Sequence, residues 1–196
     1  MNLDHIIQER IDEHLQVVGL LKNDSKFLTN LSEISNVITE CFKSGGKLLI
    51  CGNGGSAADS QHLATELVSR FFLERKALDA EALTVNTSTL TAVANDYSFD
   101  KVFSRQLEAK GKEGDVLLAI STSGNSKNII EAIKAAKSIG IKTIGFAGNN
   151  RDSLICKMSD YYVSIPSNST PRIQEAHILL GHIICEIVER YLFEKG

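Results

Sequence analysis

His62 and Glu66 stand four residues apart, a short way after the glycine-rich run Cys51-Gly-Asn-Gly-Gly-Ser56. On a helix, that spacing places an imidazole and a carboxylate on one face, where they can converge on one small molecule or one metal ion. The pattern is not His-Glu-x-x-His, so no metalloprotease chemistry follows. A second cluster is Ser121-Thr-Ser-Gly-Asn-Ser126, with four hydroxyls in six residues. Hydroxyl donors, joined by backbone N–H groups at a helix start, can hold a phosphate monoester without any lysine. The cluster lacks the Gly-Lys-Ser/Thr ending of a Walker A loop and the G-x-G-x-x-G of a dinucleotide fingerprint. The plainer alternatives are a solvated helix face for the His/Glu pair and a serine-rich helix cap for the hydroxyls.

The elements that must position these groups can be read from hydrophobic periodicity. Helical spacing runs from about Leu3 to Leu21 and from about Phe27 to Ser44. A strand at Lys47 to Cys51 leads through Gly52 to Gly55 into a helix capped by Ser56 and running to about Phe72. Next come a strand at Ala82 to Val85, a helical region from about Ser88 to Lys110, and a strand at Val116 to Ile120. A helix follows Ser126. A strand at Lys142 to Ala147, a short helix near Arg151 to Lys157 and a strand at Tyr161 to Ile165 precede a long helix from Pro171 to about Phe193. Strands separated by helices predict an α/β fold: a three-layer, doubly wound parallel sheet of about five strands, with two added N-terminal helices. In such folds ligands bind at the carboxyl ends of the strands, where both polar turns fall.

Composition narrows the classes. With 196 residues and 43% hydrophobic content, the chain can bury one substantial core, so a single domain over 1–196 is expected. A formal net charge of −3 with dispersed basic residues gives no electrostatic footprint for nucleic acid. Cys41, Cys51, Cys156 and Cys185 are widely spaced and form no C-x-x-C pair, which suits buried, reduced thiols of a cytoplasmic protein. No apolar run reaches membrane-spanning length, and the charged, amphipathic N-terminus carries no export signal.

Taken together, Cys51-Gly-Asn-Gly-Gly-Ser56, Thr91-Ala-Val-Ala-Asn-Asp96 with Val102-Phe-Ser-Arg-Gln106, Gly114 to Ser126 and Arg172-Ile-Gln-Glu-Ala-His177 resemble the sugar isomerase (SIS) family, and within it the phosphoheptose isomerases. The resemblance spans almost the whole chain. It implies isomerisation of sedoheptulose 7-phosphate to D-glycero-D-manno-heptose 7-phosphate, the first step towards activated heptose for bacterial surface polysaccharide such as lipopolysaccharide or capsule. It also implies a homotetramer, with residues 1–45 used in oligomer packing around a core at 46–196. No nucleotide or redox cofactor is implied. Carried over by position, the phosphate site falls on Ser121, Thr122, Ser123 and Ser126, and the sugar contacts on Asn53, Gly54, Gly55, Asn95 and Asp96, with Glu66 and Gln174 also touching substrate. A zinc site, one per subunit, falls on His62, Glu66, Gln174 and His182. Aldose–ketose isomerisation needs a base beside the carbonyl and an acid for its oxygen. Glu66 is the expected base and His182 the expected acid.

Those assignments pull against each other, because zinc ligation lowers a carboxylate's basicity and occupies an imidazole lone pair. A weakly held, catalytic zinc and a structural or inhibitory one are both open at this point. Gln is also an uncommon zinc ligand. Some relatives carry an acid just before the arginine matching Arg172, where this chain has Thr170-Pro171. Two other functions compete: a non-catalytic SIS protein that associates with the replication initiator DnaA, and a SIS isomerase of another phosphosugar. Retention of both Glu66 and His182 favours the enzyme.

Overall fold

The computed structural model describes residues 2–194. Two long helices, α1 (Leu3–Lys22) and α2 (Ser25–Lys43), precede the alternating part of the chain. The Asp24 carboxylate opens α2 by accepting from the N–H groups of Lys26 and Phe27. Then follow β1 (Leu48–Gly52), α3 (Gly55–Val68), β2 (Ala80–Ala82), α4 (Thr87–Asp96), a 3₁₀ turn at Phe99–Lys101 and α5 (Ser104–Lys110). The chain continues through β3 (Val116–Ser121), α6 (Lys127–Ile139), β4 (Lys142–Ala147), α7 (Leu154–Met158), β5 (Tyr161–Ser164) and α8 (Thr170–Phe193).

The five strands form one parallel sheet in the order β2-β1-β3-β4-β5. Every residue of β1 and β3 is buried, as a strand covered on both faces requires. Alternate side chains serve opposite layers. Leu48, Ile50, Val116, Leu118 and Ile120 meet α1, α2, α3 and α8, while Leu49, Cys51, Leu117 and Ala119 meet α5, α6 and α7. Strand order reverses direction between β1 and β3, the topological switch at which open α/β sheets bind ligands. The pairing of Gly52 with Ile120 brings these two strands to their ends at the same level. Both polar turns therefore emerge side by side. All four cysteines are free and buried, and among the described residues no helix is long and apolar enough to cross a membrane.

Several boundaries differ from the sequence expectations. Gly54, at φ +54°, caps α3 in place of Ser56, which lies buried inside the first turn. The helix stops at Val68 rather than near Phe72, because the N–H groups of Phe71, Phe72 and Leu73 donate to the Glu189 carboxylate instead of to helix carbonyls. The helical region expected from Ser88 to Lys110 is three separate pieces. Strand β2 lies at 80–82 rather than 82–85, where it can pair with Leu48 to Ile50 of β1. Thr170, and not Pro171, is the first residue of α8.

Candidate active site

β1 delivers the chain to Gly54, whose positive φ favours a residue without a side chain, and α3 starts at once. Gly55 lies under the Gln174 amide from α8; a Cβ there would fall 2.3 Å from its Nε2. Further along, Leu63 packs on Gly181 and His62 meets His182, so α3 and α8 run side by side in the same direction. This parallel pair assembles the chemistry. His62 Nε2 is 2.8 Å from His182 Nε2 and 3.3 Å from Glu66 Oε1. The rings of His62 and His182 meet edge to face at 5.0 Å, and the Phe71 ring packs on His182 at 5.7 Å.

The donor set fits a divalent cation. One ligating atom from each of His62, Glu66 and His182 lies within 4.8 Å of the others. Ligands on tetrahedral zinc, with bonds of 2.0–2.1 Å, sit about 3.4 Å apart. Two imidazole Nε2 atoms at hydrogen-bond distance need a shared proton, and a cation can take that proton's place. Gln174 stands apart from this group. It lies eight residues before His182 on α8, about 12 Å along the axis, with its amide at Gly55.

The second turn follows β3. The Ser121 hydroxyl lies 3.3 Å from that of Ser123 and 3.0 Å from that of Ser126, so three hydroxyls converge at the start of α6. Ser126 occupies the N-cap position, yet its side chain does not cap the helix. It remains turned towards the cluster. The backbone is braced from behind. Gly148 N–H donates to Thr122 O, Ile155 N–H to Gly124 O, and Leu154 N–H to the Asn125 side-chain oxygen. Gly124, at φ +67°, lies against Ser153, leaving no room for a Cβ. The hydroxyls and the first N–H groups of α6 form an anion-binding concavity. Thr122 is half-buried and Ser123 exposed at its rim.

Two residues escaped the sequence reading. Asn128, buried in the first turn of α6, exchanges side-chain amide hydrogen bonds with Asn53 at 2.9 and 2.8 Å and so joins the two turns. Asp59, one turn before His62 on α3, has a buried carboxylate oxygen with no hydrogen-bond partner. Burial pushes its carboxyl up to about 6, against an opposing pull from His62. Its i,i+3 spacing to His62 was the available signal. Asn95 and Asp96, at the end of α4, are exposed and bond to each other at 2.9 Å. Among the described residues, neither side chain bonds to either turn. A cavity of about 1080 Å³ lies elsewhere, between the α1–α2 connection and β5, with Phe27, Asn30 and Tyr162 in its lining.

A parallel sheet with polar turns at its switch point, one carrying a hydroxyl cradle, defines a phosphosugar-binding α/β domain, and residues 20–148 match the SIS domain family. The phosphoheptose isomerase of Clostridium acetobutylicum is 51% identical to the chain, covering 97% of both sequences, and that of Sulfurimonas denitrificans is 45% identical with the same coverage. Among solved structures, phosphoheptose isomerase GmhA from Neisseria gonorrhoeae superposes with a TM-score of 0.89 at 38% identity, covering 96% of this chain and 99% of its own. The Francisella tularensis phosphoheptose isomerase gives 0.91 at 33% identity, covering 97% and 100%. The chain belongs to the phosphoheptose isomerase family of SIS-domain proteins.

Proposed function

We propose that the chain interconverts D-sedoheptulose 7-phosphate and D-glycero-D-manno-heptose 7-phosphate, the entry to nucleotide-activated heptose for surface polysaccharide. Two observations support this reading: Glu66 meets His182 between α3 and α8, and a separate hydroxyl cradle opens α6, in a chain that matches phosphoheptose isomerases end to end. Ser121, Thr122, Ser123 and Ser126 grip the phosphate. Asn53, Gly54, Gly55, Asn95, Asp96 and Gln174 address the sugar hydroxyls, with Asn53 oriented by Asn128. Glu66 takes the proton from C1 while His182 protonates the C2 oxygen, giving a 1,2-enediol. Transfer of the O1 proton back to His182 and return of a proton from the Glu66 carboxyl to C2 completes the aldose and restores both groups. The remote phosphate contacts hold the reacting carbons in line for these transfers.

His62, Glu66 and His182 would hold one zinc per subunit, while Gln174, whose amide lies at Gly55, stays with the sugar contacts. Such a cation, when bound, polarises a carbonyl oxygen and stabilises negative charge on it. The reading includes a homotetramer located in the cytoplasm. Along α1, Leu3, Ile7, Ile11 and Leu15 follow four-residue steps and are each more than half exposed, an apolar stripe that suits a subunit interface. The His62 side chain is 48% exposed in the single chain, as befits a site completed by a neighbouring subunit. The test is direct: purified protein is incubated with sedoheptulose 7-phosphate and no added nucleotide or redox cofactor, and an aldose heptose 7-phosphate is the expected product. Absence of that product from folded protein overturns the reading.

A further inference from the structure

The geometry points to Arg75 and Glu189 as positioning residues that set the placement of Glu66 and His182, an inference that rests on the acid/base reading above. Neither residue hydrogen-bonds to a side chain of the triad. Their side chains are each 1% exposed and pair at 2.9 Å, Arg75 Nε to Glu189 Oε1. The remaining hydrogen-bonding capacity of both goes to backbone next to the site. Arg75 Nη2 donates to the carbonyl of Glu66 at 2.9 Å, and Nη1 donates to the carbonyls of Leu67 and Ser69 at 2.7 Å and of Lys76 at 3.2 Å. The last carbonyls of a helix lack intrahelical donors, and a cation there also complements the helix dipole. Arg75 therefore fixes the turn of α3 that carries the Glu66 carboxylate.

Glu189 acts on the other partner. It lies seven residues after His182 on α8, two turns along nearly the same face. Its carboxylate accepts from the N–H groups of Phe71 at 3.0 Å, Phe72 at 2.7 Å and Leu73 at 3.0 Å. Phe71, held in this way, presents its ring to His182. Burial works against the charge of Glu189, but the three N–H donors and Arg75 outweigh it and hold the carboxyl below its ordinary range. The ion pair thus ties the end of α3, the segment 71–73 and α8 into one unit whose outputs are the positions of a base and an acid. A fold without such chemistry would have little need for a charge here, since a buried ion pair is often no more stabilising than apolar residues of similar volume.

Three variants test this: Arg75→Lys, which keeps the charge but cannot span the carbonyls; Glu189→Gln, which keeps the shape but sets an NH₂ against backbone N–H donors; and Asp160→Asn. Asp160 accepts from Thr143 just before β5, the edge strand opposite β2, shares no hydrogen bond with the triad or the ion pair, and serves as a control for destabilisation alone. Thermal unfolding, kcat and KM for sedoheptulose 7-phosphate are measured, along with the NMR resonance of ¹³Cε1-labelled His182. The expected result for Arg75→Lys and Glu189→Gln is a kcat lowered roughly 10–10²-fold per folded subunit, as misplacement by about 1 Å can produce. KM should stay within about two-fold, and the His182 resonance should move as its packing on Phe71 changes. Asp160→Asn should lose stability and keep kcat. Wild-type kcat and an unmoved His182 resonance in folded Arg75→Lys and Glu189→Gln overturn the inference, as does a matching loss in Asp160→Asn. If one variant does not fold, the other decides; if neither folds at the assay temperature, the pair is a folding determinant and the inference fails. An inactive wild type would reject the isomerase reading, while the His182 resonance would still report on positioning.

Discussion

Asn53 and Asn128, 75 positions apart, face each other in a reciprocal amide pair, each side chain donating to and accepting from the other. One belongs to the turn after β1 and the other to the helix after β3, so this pair fixes the distance between the glycine-rich turn and the hydroxyl cradle. Asn128→Ala leaves the Asn53 amide without its partner in a part-buried setting, a loss of roughly 1–2 kcal/mol. The dissociation constant for the phosphosugar should rise about five- to thirty-fold by calorimetry. An unchanged constant would show that the turns keep their spacing without the pair.

Glu66→Gln preserves shape while removing the carboxylate proposed as the base. Turnover should fall about 10²–10⁴-fold, with much smaller change in substrate binding. Steady-state kinetics beside direct binding separates the two effects, and wild-type turnover would remove Glu66 from its role.

Ser121→Ala with Ser123→Ala empties two of the three converging hydroxyls. Hydrogen bonds to a charged oxygen are worth roughly 1.5–3 kcal/mol each, so affinity for phosphorylated sugar should fall by tens-fold or more. Inorganic phosphate, tested as a competitor, should weaken in parallel. If both ligands bind the double variant normally, the phosphate sits elsewhere.

Assembly and metal can be read on one preparation. Light scattering should return a tetramer, and elemental analysis of protein purified without chelator should find zinc near one per subunit, an estimate from one ligand set per chain. His62→Ala should lower the zinc content and leave the tetramer intact. A monomer at micromolar concentration rejects the assembly. Metal-free wild type, indifferent to added zinc in activity and melting temperature, rejects the metal.

Acid should weaken the fold through His177. Burial against Phe146 pushes this imidazole down to about 4, with its hydrogen bond to the Ala147 carbonyl pulling weakly the other way. In the unfolded chain the group titrates at about 6.5. The depressed value means that the neutral ring's contribution is complete above pH 6.5 and drains away as pH falls towards 4, by about 3 kcal/mol in all. Urea midpoints measured across this range should slope less in His177→Gln than in wild type. Equal slopes would place the acid sensitivity in other groups.

The layers and the two turns were legible because their signals are local. β4 reads at Lys142–Ala147 in both sequence and structure, and α1 differs by one residue at its end. The apolar runs of β1 and β3 announce strands buried on both faces. What escaped depends on distant partners. Ser56 has the composition of a cap, yet the bend at Gly52 is so tight that a Cβ there would lie 2.4 Å from the Ser56 carbonyl oxygen, which pulls the helix start back to Gly54. Nothing near Arg75 reveals that its partner lies 114 positions later, and nothing near Asn128 reveals Asn53. The His62–His182 meeting was within reach only by analogy with the family, because helical spacing orders residues along one helix and is silent on which helix lies opposite.

At Gly181, a Cβ would stand 2.5 Å from the Leu63 side chain. The gap between two histidines is thus governed by a residue that has no side chain of its own. Selection for a proton-transfer geometry can leave its mark on a position with no reactive atom, so a tolerance map of α8 should show an intolerant point at 181 that a search for polar groups would overlook.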